Sequence, residues 1–89
     1  MIRQSVTIIN KLGLHARAAA KLVETASRYD SRVELVKGNR QVDAKSIMPV
    51  MMLAASQGTE VELVAEGPDE QQAIAALEAL INDYFGEGE

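Results

Sequence analysis

The sequence predicts an α+β fold: an open-faced sandwich in which a four-stranded, mainly antiparallel sheet carries three helices on one face, in the order β-α-β-β-α-β-α. Three observations point to it. Short segments rich in Val, Ile and Leu alternate apolar and polar side chains, as half-buried strands do. Between them lie segments whose apolar residues recur at three- and four-residue steps, the spacing of one helix face. A Gly38-Asn39 pair sits between two strand-like runs and closes them into a tight hairpin, because Gly and Asn tolerate positive φ. Residues 1–89 contain no linker, low-complexity run or internal repeat, so they are expected to form one domain.

Each element follows from its residues. Ser5 to Ile9 alternates and is β-branched, a first strand. Asn10 to Leu14 contains Gly13 and reads as a loop. From Ala16 the period changes: Ala16, Ala19, Ala20, Val23, Ala26 and Ser27 mark one side of a first helix, which ends near Tyr29-Asp30-Ser31. Arg32 to Val36 and Arg40 to Asp43 are the strands of the hairpin. Ser46 is a favoured N-cap for the apolar run Ile47 to Ala55, with Pro49 in the first turn, where a missing N–H costs nothing. Glu60 to Ala65 is a fourth strand with Val61, Leu63 and Ala65 inward and Glu60 and Glu62 toward water. Gly67-Pro68 ends it. Asp69 with Gln72 predicts a capping box, and Ala73, Leu77, Leu80, Ile81 and Tyr84 a core-facing helix stopped at Gly86.

Composition removes several function classes. The 89 residues are 47% hydrophobic, enough for one small core, and contain no cysteine, which leaves no disulfide or thiolate metal site and suits the cytoplasm. A net charge of −4 disfavours general nucleic-acid binding, which needs a basic face, and disfavours anionic membrane surfaces. No segment approaches the roughly 20 apolar residues of a membrane span, and the N-terminus lacks the apolar stretch of a signal peptide. With one histidine, a metal site has too few ligands, so no metal is expected.

That histidine carries the chemistry. His15 closes the Gly13-Leu14 loop and directly precedes the first helix. A helix N-terminus presents free N–H groups and the positive end of the dipole, which welcome an anion and favour the neutral ring over imidazolium. A neutral imidazole nitrogen is a nucleophile near neutral pH. Arg17 adds a guanidinium whose forked donors match phosphate oxygens, and the backbone of Ala16, Arg17 and Ala18 would cradle them. Position alone also admits a plain polar cap or a solvated ring. No Walker loop, zinc motif or nucleophile elbow competes.

The run Asn10-Lys11-Leu12-Gly13-Leu14-His15-Ala16-Arg17 resembles the active-site signature of HPr-type phosphocarriers of the bacterial phosphotransferase system. Lys45-Ser46-Ile47-Met48 with Val50-Met51 resembles that family's second, regulatory segment. Gly58-Thr59, Ala65-Glu66-Gly67 and Asp69-Glu70 also fit, so the resemblance spans the chain. It implies an HPr-like open-faced sandwich in which His15 is phosphorylated on Nδ1 by phospho-Enzyme I, charged from phosphoenolpyruvate, and passes the group to an Enzyme IIA, with Arg17 assisting and no bound cofactor. One residue departs from the pattern: the family usually has Pro after the Arg, and here stands Ala18, which keeps the helix and restores an N–H. Together with Ala18-Ala19-Ala20, Met51-Met52-Leu53 and Phe85-Gly86-Glu87, this looks more like the nitrogen-related branch, often called NPr, than the sugar-uptake branch. The expected partners are therefore the nitrogen-type Enzyme I and Enzyme IIA, met transiently by a monomer.

The resemblance also marks Ser46 as a regulatory phosphorylation position, beside its local reading as a helix cap. It marks Ile47 and Met48 as exposed residues that dock into partners, where Met adapts to several surfaces; Met51, and Ala20 one turn beyond Ala16, extend the same patch. By spacing alone those apolar residues are core. Lys21 and Lys45 read as solvated, or as steering acidic partners. Two other classes remain beside the relay: a regulatory binding module of the same fold that acts without phosphorylation, and a small enzyme or metabolite sensor, for which no acid–base pair or pocket signature appears.

Overall fold

Four strands pair into one sheet in the spatial order β1-β4-β2-β3, every neighbouring pair antiparallel. The computed structural model describes all 89 residues. In chain order they form β1 (Ile2–Thr7), α1 (Ala16–Ser27), β2 (Arg32–Lys37), β3 (Arg40–Asp43), α2 (Ile47–Met52), β4 (Glu60–Glu66) and α3 (Glu70–Asn82), then a single 3₁₀ turn at Tyr84–Gly86. This is the element order and the open-faced sandwich that the sequence predicts.

The pleat sets the core. Val6 pairs with Val61, Leu35 with Leu63 and Val33 with Ala65, so these side chains line one face. Leu22 and Ala26 of α1, Val50 of α2 and Ala73, Leu77 and Ile81 of α3 close over it in a continuous buried cluster. On the sheet's other face Val64 is also buried, contrary to simple alternation. Its cross-strand neighbours are Arg3 and Glu34, and the Arg3–Glu62, Arg32–Glu34 and Arg32–Glu66 ion pairs lay aliphatic stems around it.

Several local expectations are corrected. β1 begins at Ile2 and ends at Thr7, although Ile8 N–H still bonds Thr59 O at 2.9 Å. The buried stripe of α1 is Ala18, Ala19, Leu22, Thr25 and Ala26, while Ala16, Ala20 and Ser27 are exposed. The stripe is set by Leu22, the helix's one fully buried large side chain. The hairpin forms as expected, with Lys37 opposite Arg40 and only Gly38 taking positive φ, at 60°.

α2 stops at Met52, short of the predicted end. Ala54 turns left-handed at φ 53°, and Lys37 and Arg40 of the hairpin take the carbonyls of Leu53 and Met52, each at 2.9 Å. Cations on the last carbonyls of a helix satisfy orphan acceptors and oppose the dipole. Ser46 occupies the N-cap position of α2 but makes no side-chain cap bond; its hydroxyl lies 3.3 Å from Asp43 Oδ2.

The predicted capping box at α3 is not made. Asp69 turns its carboxylate to Ser31 and Asp30, accepting both backbone N–H groups at 2.9 Å. Tyr84 is not on the core face either. The helix ends at Asn82, Tyr84 and Phe85 both adopt left-handed φ (58° and 53°), and the fully buried residue is Phe85.

Candidate functional site

His15 is itself the N-cap of α1. Its backbone is extended, and its Nδ1 accepts the Arg17 N–H at 3.3 Å. A nitrogen that accepts a hydrogen bond carries its lone pair, so Nδ1 is the unprotonated nitrogen of the ring. The first helical bond runs from Ala19 N–H to His15 O at 2.8 Å, so the N–H groups of Ala16 and Ala18 precede helical bonding.

The loop that presents the ring is held on all sides. Gly13 takes φ 68°, and a Cβ there would sit 2.6 Å from Ala55 O. Leu14 is buried and donates to that same carbonyl at 2.8 Å. Asn10, fully buried, donates from Nδ2 to Gly13 O at 2.8 Å. The His15 side chain remains 29% exposed, enough for a reacting group to reach it. It opens on a cleft of about 350 Å³ whose lining includes Lys11, Leu12, Arg17, Lys21 and Glu87. The Arg17 side chain is exposed and makes no hydrogen bond or ion pair, so its donors are available.

The other ring nitrogen has a partner that sequence reasoning missed. Nε2 is hydrogen-bonded to Glu87 Oε2, 72 residues away. Asn10 Nδ2 donates to the other oxygen of Glu87 at 2.9 Å. Burial pushes the Glu87 carboxyl up, but the hydrogen bonds from Asn10 and His15, and then the charges of His15 and Lys21, more than offset it, leaving it below the usual glutamate range. No local pattern signals such a long-range pair.

Comparison with known proteins identifies the family. The family described as "PTS HPr component phosphorylation site" matches residues 2–83. The chain belongs to the HPr family of phosphotransferase-system phosphocarriers. The phosphocarrier protein HPr of Cupriavidus necator is 60% identical over 89 residues, the whole of both chains. The crystal structure of an HPr from Thermoanaerobacter tengcongensis superposes with a TM-score of 0.95 at 52% identity, covering 98% of each chain. An HPr from the same organism solved as a dimer matches at a TM-score of 0.79 and 52% identity, covering 98% of this chain and 100% of the other.

Within this HPr fold the other singled-out residues separate. α1 packs against α2, which brings the Ser46 segment to the same side of the molecule as α1. Ile47 (36%) and Met48 (61%) are exposed, as is Ala20. Met51 instead packs partly against the core, and Met52, which the sequence reading did not choose, is 61% exposed. Leu12, at the rim of the cleft, is also an exposed large apolar side chain. The two lysines are not simply solvated: Lys21 Nζ donates to Phe85 O at 2.6 Å and Lys45 Nζ to Tyr29 O at 2.7 Å.

Proposed function

We propose that this HPr-family chain carries a phosphoryl group on Nδ1 of His15, received from a nitrogen-type phospho-Enzyme I and delivered to a nitrogen-type Enzyme IIA, phosphoenolpyruvate being the ultimate donor. The observation that carries the reading is the Arg17 N–H donated to Nδ1. It supports a lone pair on that nitrogen, at a helix start where uncommitted amides and a free guanidinium converge. In the transfer the lone pair attacks phosphorus in line. The Nδ1–P bond forms as the bond to the donor breaks, and its electron pair leaves with the donor. The Arg17 N–H, released from the lone pair, then faces a phosphoryl oxygen together with the Arg17 side chain. Catalysis is mainly positioning and charge stabilisation, shared with the partner across a transient interface.

Ala18, the alanine run and the Phe85-Gly86-Glu87 tail support the nitrogen branch. The plain HPr name of the Cupriavidus relative favours the alternative, a general or sugar-uptake carrier. The carrier acts stoichiometrically, as a cytoplasmic monomer, docking through Ile47, Met48 and their surroundings. Purified protein is incubated with phosphoenolpyruvate and each type of Enzyme I, and an acid-labile mass gain is sought. Labelling only by the nitrogen-type enzyme is expected; labelling by the sugar-type enzyme alone refutes the branch. No label with either, on folded protein, refutes the relay and leaves a binding module. His15→Ala is expected to abolish the label and keep the fold.

A further inference from the structure

The segment after α3 doubles back onto the start of α1, and it does so against its own backbone preferences. Tyr84 and Phe85 hold φ of 58° and 53°, a region that residues with a bulky side chain avoid. Strain of this kind persists only where the surroundings impose it, and it gathers at functional sites. The tail is pinned by the fully buried Phe85 ring, by Lys21 Nζ on Phe85 O, and by the Lys11 N–H on Glu89 O at 3.1 Å. Between those anchors lies Glu87, outside the 2–83 span that the family description matches. Asn10 aims its Nδ2 at one Glu87 oxygen and leaves its own Oδ1 buried without a partner, so that amide serves only as a donor.

We propose that Glu87 is a positioning residue for phosphoryl transfer: it holds the proton of His15 on Nε2, presents Nδ1 as the nucleophile and stabilises the positive charge that the ring acquires when Nδ1 bonds to phosphorus. The proposal rests on the relay reading above. A carboxylate only accepts, so the nitrogen facing it donates. The Arg17 N–H specifies the same tautomer independently from the other side of the ring. When the Nδ1 lone pair forms the N–P bond, no proton moves; Nε2 keeps its hydrogen and the ring becomes cationic beside a fixed anion. The logic is that of a carboxylate orienting an imidazole in a hydrolytic triad, used here for a histidine that is itself the nucleophile.

His15 is the only histidine, so its ring nitrogens can be observed without ambiguity by ¹⁵N-resolved NMR of the full, unphosphorylated chain. The expected wild-type spectrum shows one tautomer, protonated on Nε2, with a slowly exchanging proton; in Glu87→Ala that proton exchanges fast. Single-turnover charging by phospho-Enzyme I should slow about tenfold in Glu87→Ala, in the rate constant and not in KM, the scale of one charge-assisted hydrogen bond. Glu87→Gln keeps size and acceptor but loses the charge, and should fall between the two. A wild-type ring protonated on Nδ1, or charging of Glu87→Ala within about twofold of wild type, overturns the proposal. Failure of wild type to take up label sinks the relay reading instead, since the spectrum reads Glu87 with no phosphate present.

Discussion

Gly13→Ala tests whether the loop before His15 is as tightly fixed as its contacts indicate. Two costs add. At φ 68° an alanine sits in the left-handed region, which costs roughly 1–2 kcal/mol against glycine. Its methyl would also lie 2.6 Å from Ala55 O and 2.8 Å from Ser56 Cα, both backbone atoms. Those atoms cannot swing aside as a side-chain tip would, because Ala55 O already accepts from Leu14 N–H at 2.8 Å. Overpacking against such neighbours costs roughly 1–3 kcal/mol more. The sum, about 2–5 kcal/mol, is a sizeable part of the stability of a small domain. At about 4–8 °C per kcal/mol for a chain of this size, even the lower bound lowers the melting temperature by about 8 °C. Thermal and urea unfolding of wild type and variant, followed by far-UV circular dichroism, measure it. A loss under about 1 kcal/mol refutes the reasoning, since the strain at φ 68° alone costs that much.

Arg17→Ala should leave stability within about 0.5 kcal/mol, since the side chain is exposed and unpaired, and slow charging of His15 by about 100-fold through loss of a phosphate donor; an unchanged rate removes Arg17 from the site. Asp69 is held below the usual carboxylate range first by the Ser31 hydroxyl and then by the Asp30 N–H, so its contribution to folding is complete above about pH 3.9 and is lost as pH falls through its depressed folded value. Asp69→Asn should therefore lower the urea midpoint at neutral pH and flatten its fall in acid; parallel curves for the two proteins contradict this. Met48→Asp, on a side chain 61% exposed, should weaken Enzyme I binding by about tenfold in calorimetry with stability unchanged. Equal affinity places the docking surface elsewhere.

Element type and order were legible because each segment's period is unambiguous. Glu60-Val61-Glu62-Leu63 alternates, and the last helix repeats large apolar residues at Leu77 and Ile81. Helical phase was not legible where every candidate is alanine: Ala16 to Ala20 offers small residues on several sides, and only packing around Leu22 selects Ala18 and Ala19. Asp69 illustrates competition for one carboxylate. Its sequence neighbours propose a cap, but Ser31 and Asp30, brought close by the β2–β4 pairing that sets Arg32 opposite Glu66, offer better-placed donors. His15 could be placed at a helix start from Gly13-Leu14-His15-Ala16 alone. Glu87 could not, because its route to the ring depends on left-handed backbone at Tyr84 and Phe85, which neither residue type prefers.

A chain this small holds the His15 ring still through contacts gathered from distant parts of its sequence. The contacts that hold His15 and the loop before it come from three stretches far apart in sequence: the Asn10–Arg17 segment, the Ala55-Ser56 segment and the Phe85–Glu89 tail. Asn10 joins two of them, donating to Gly13 O on its own loop and to Glu87 on the tail. Leu14 joins the third through Ala55 O. Without the tail the imidazole would keep a single local bond, that from Arg17 N–H, too weak by itself to fix a side chain against its rotamer entropy. The order of the ring is thus a product of tertiary structure, and it joins a tail carboxylate to the imidazole of His15, 72 residues earlier in the chain.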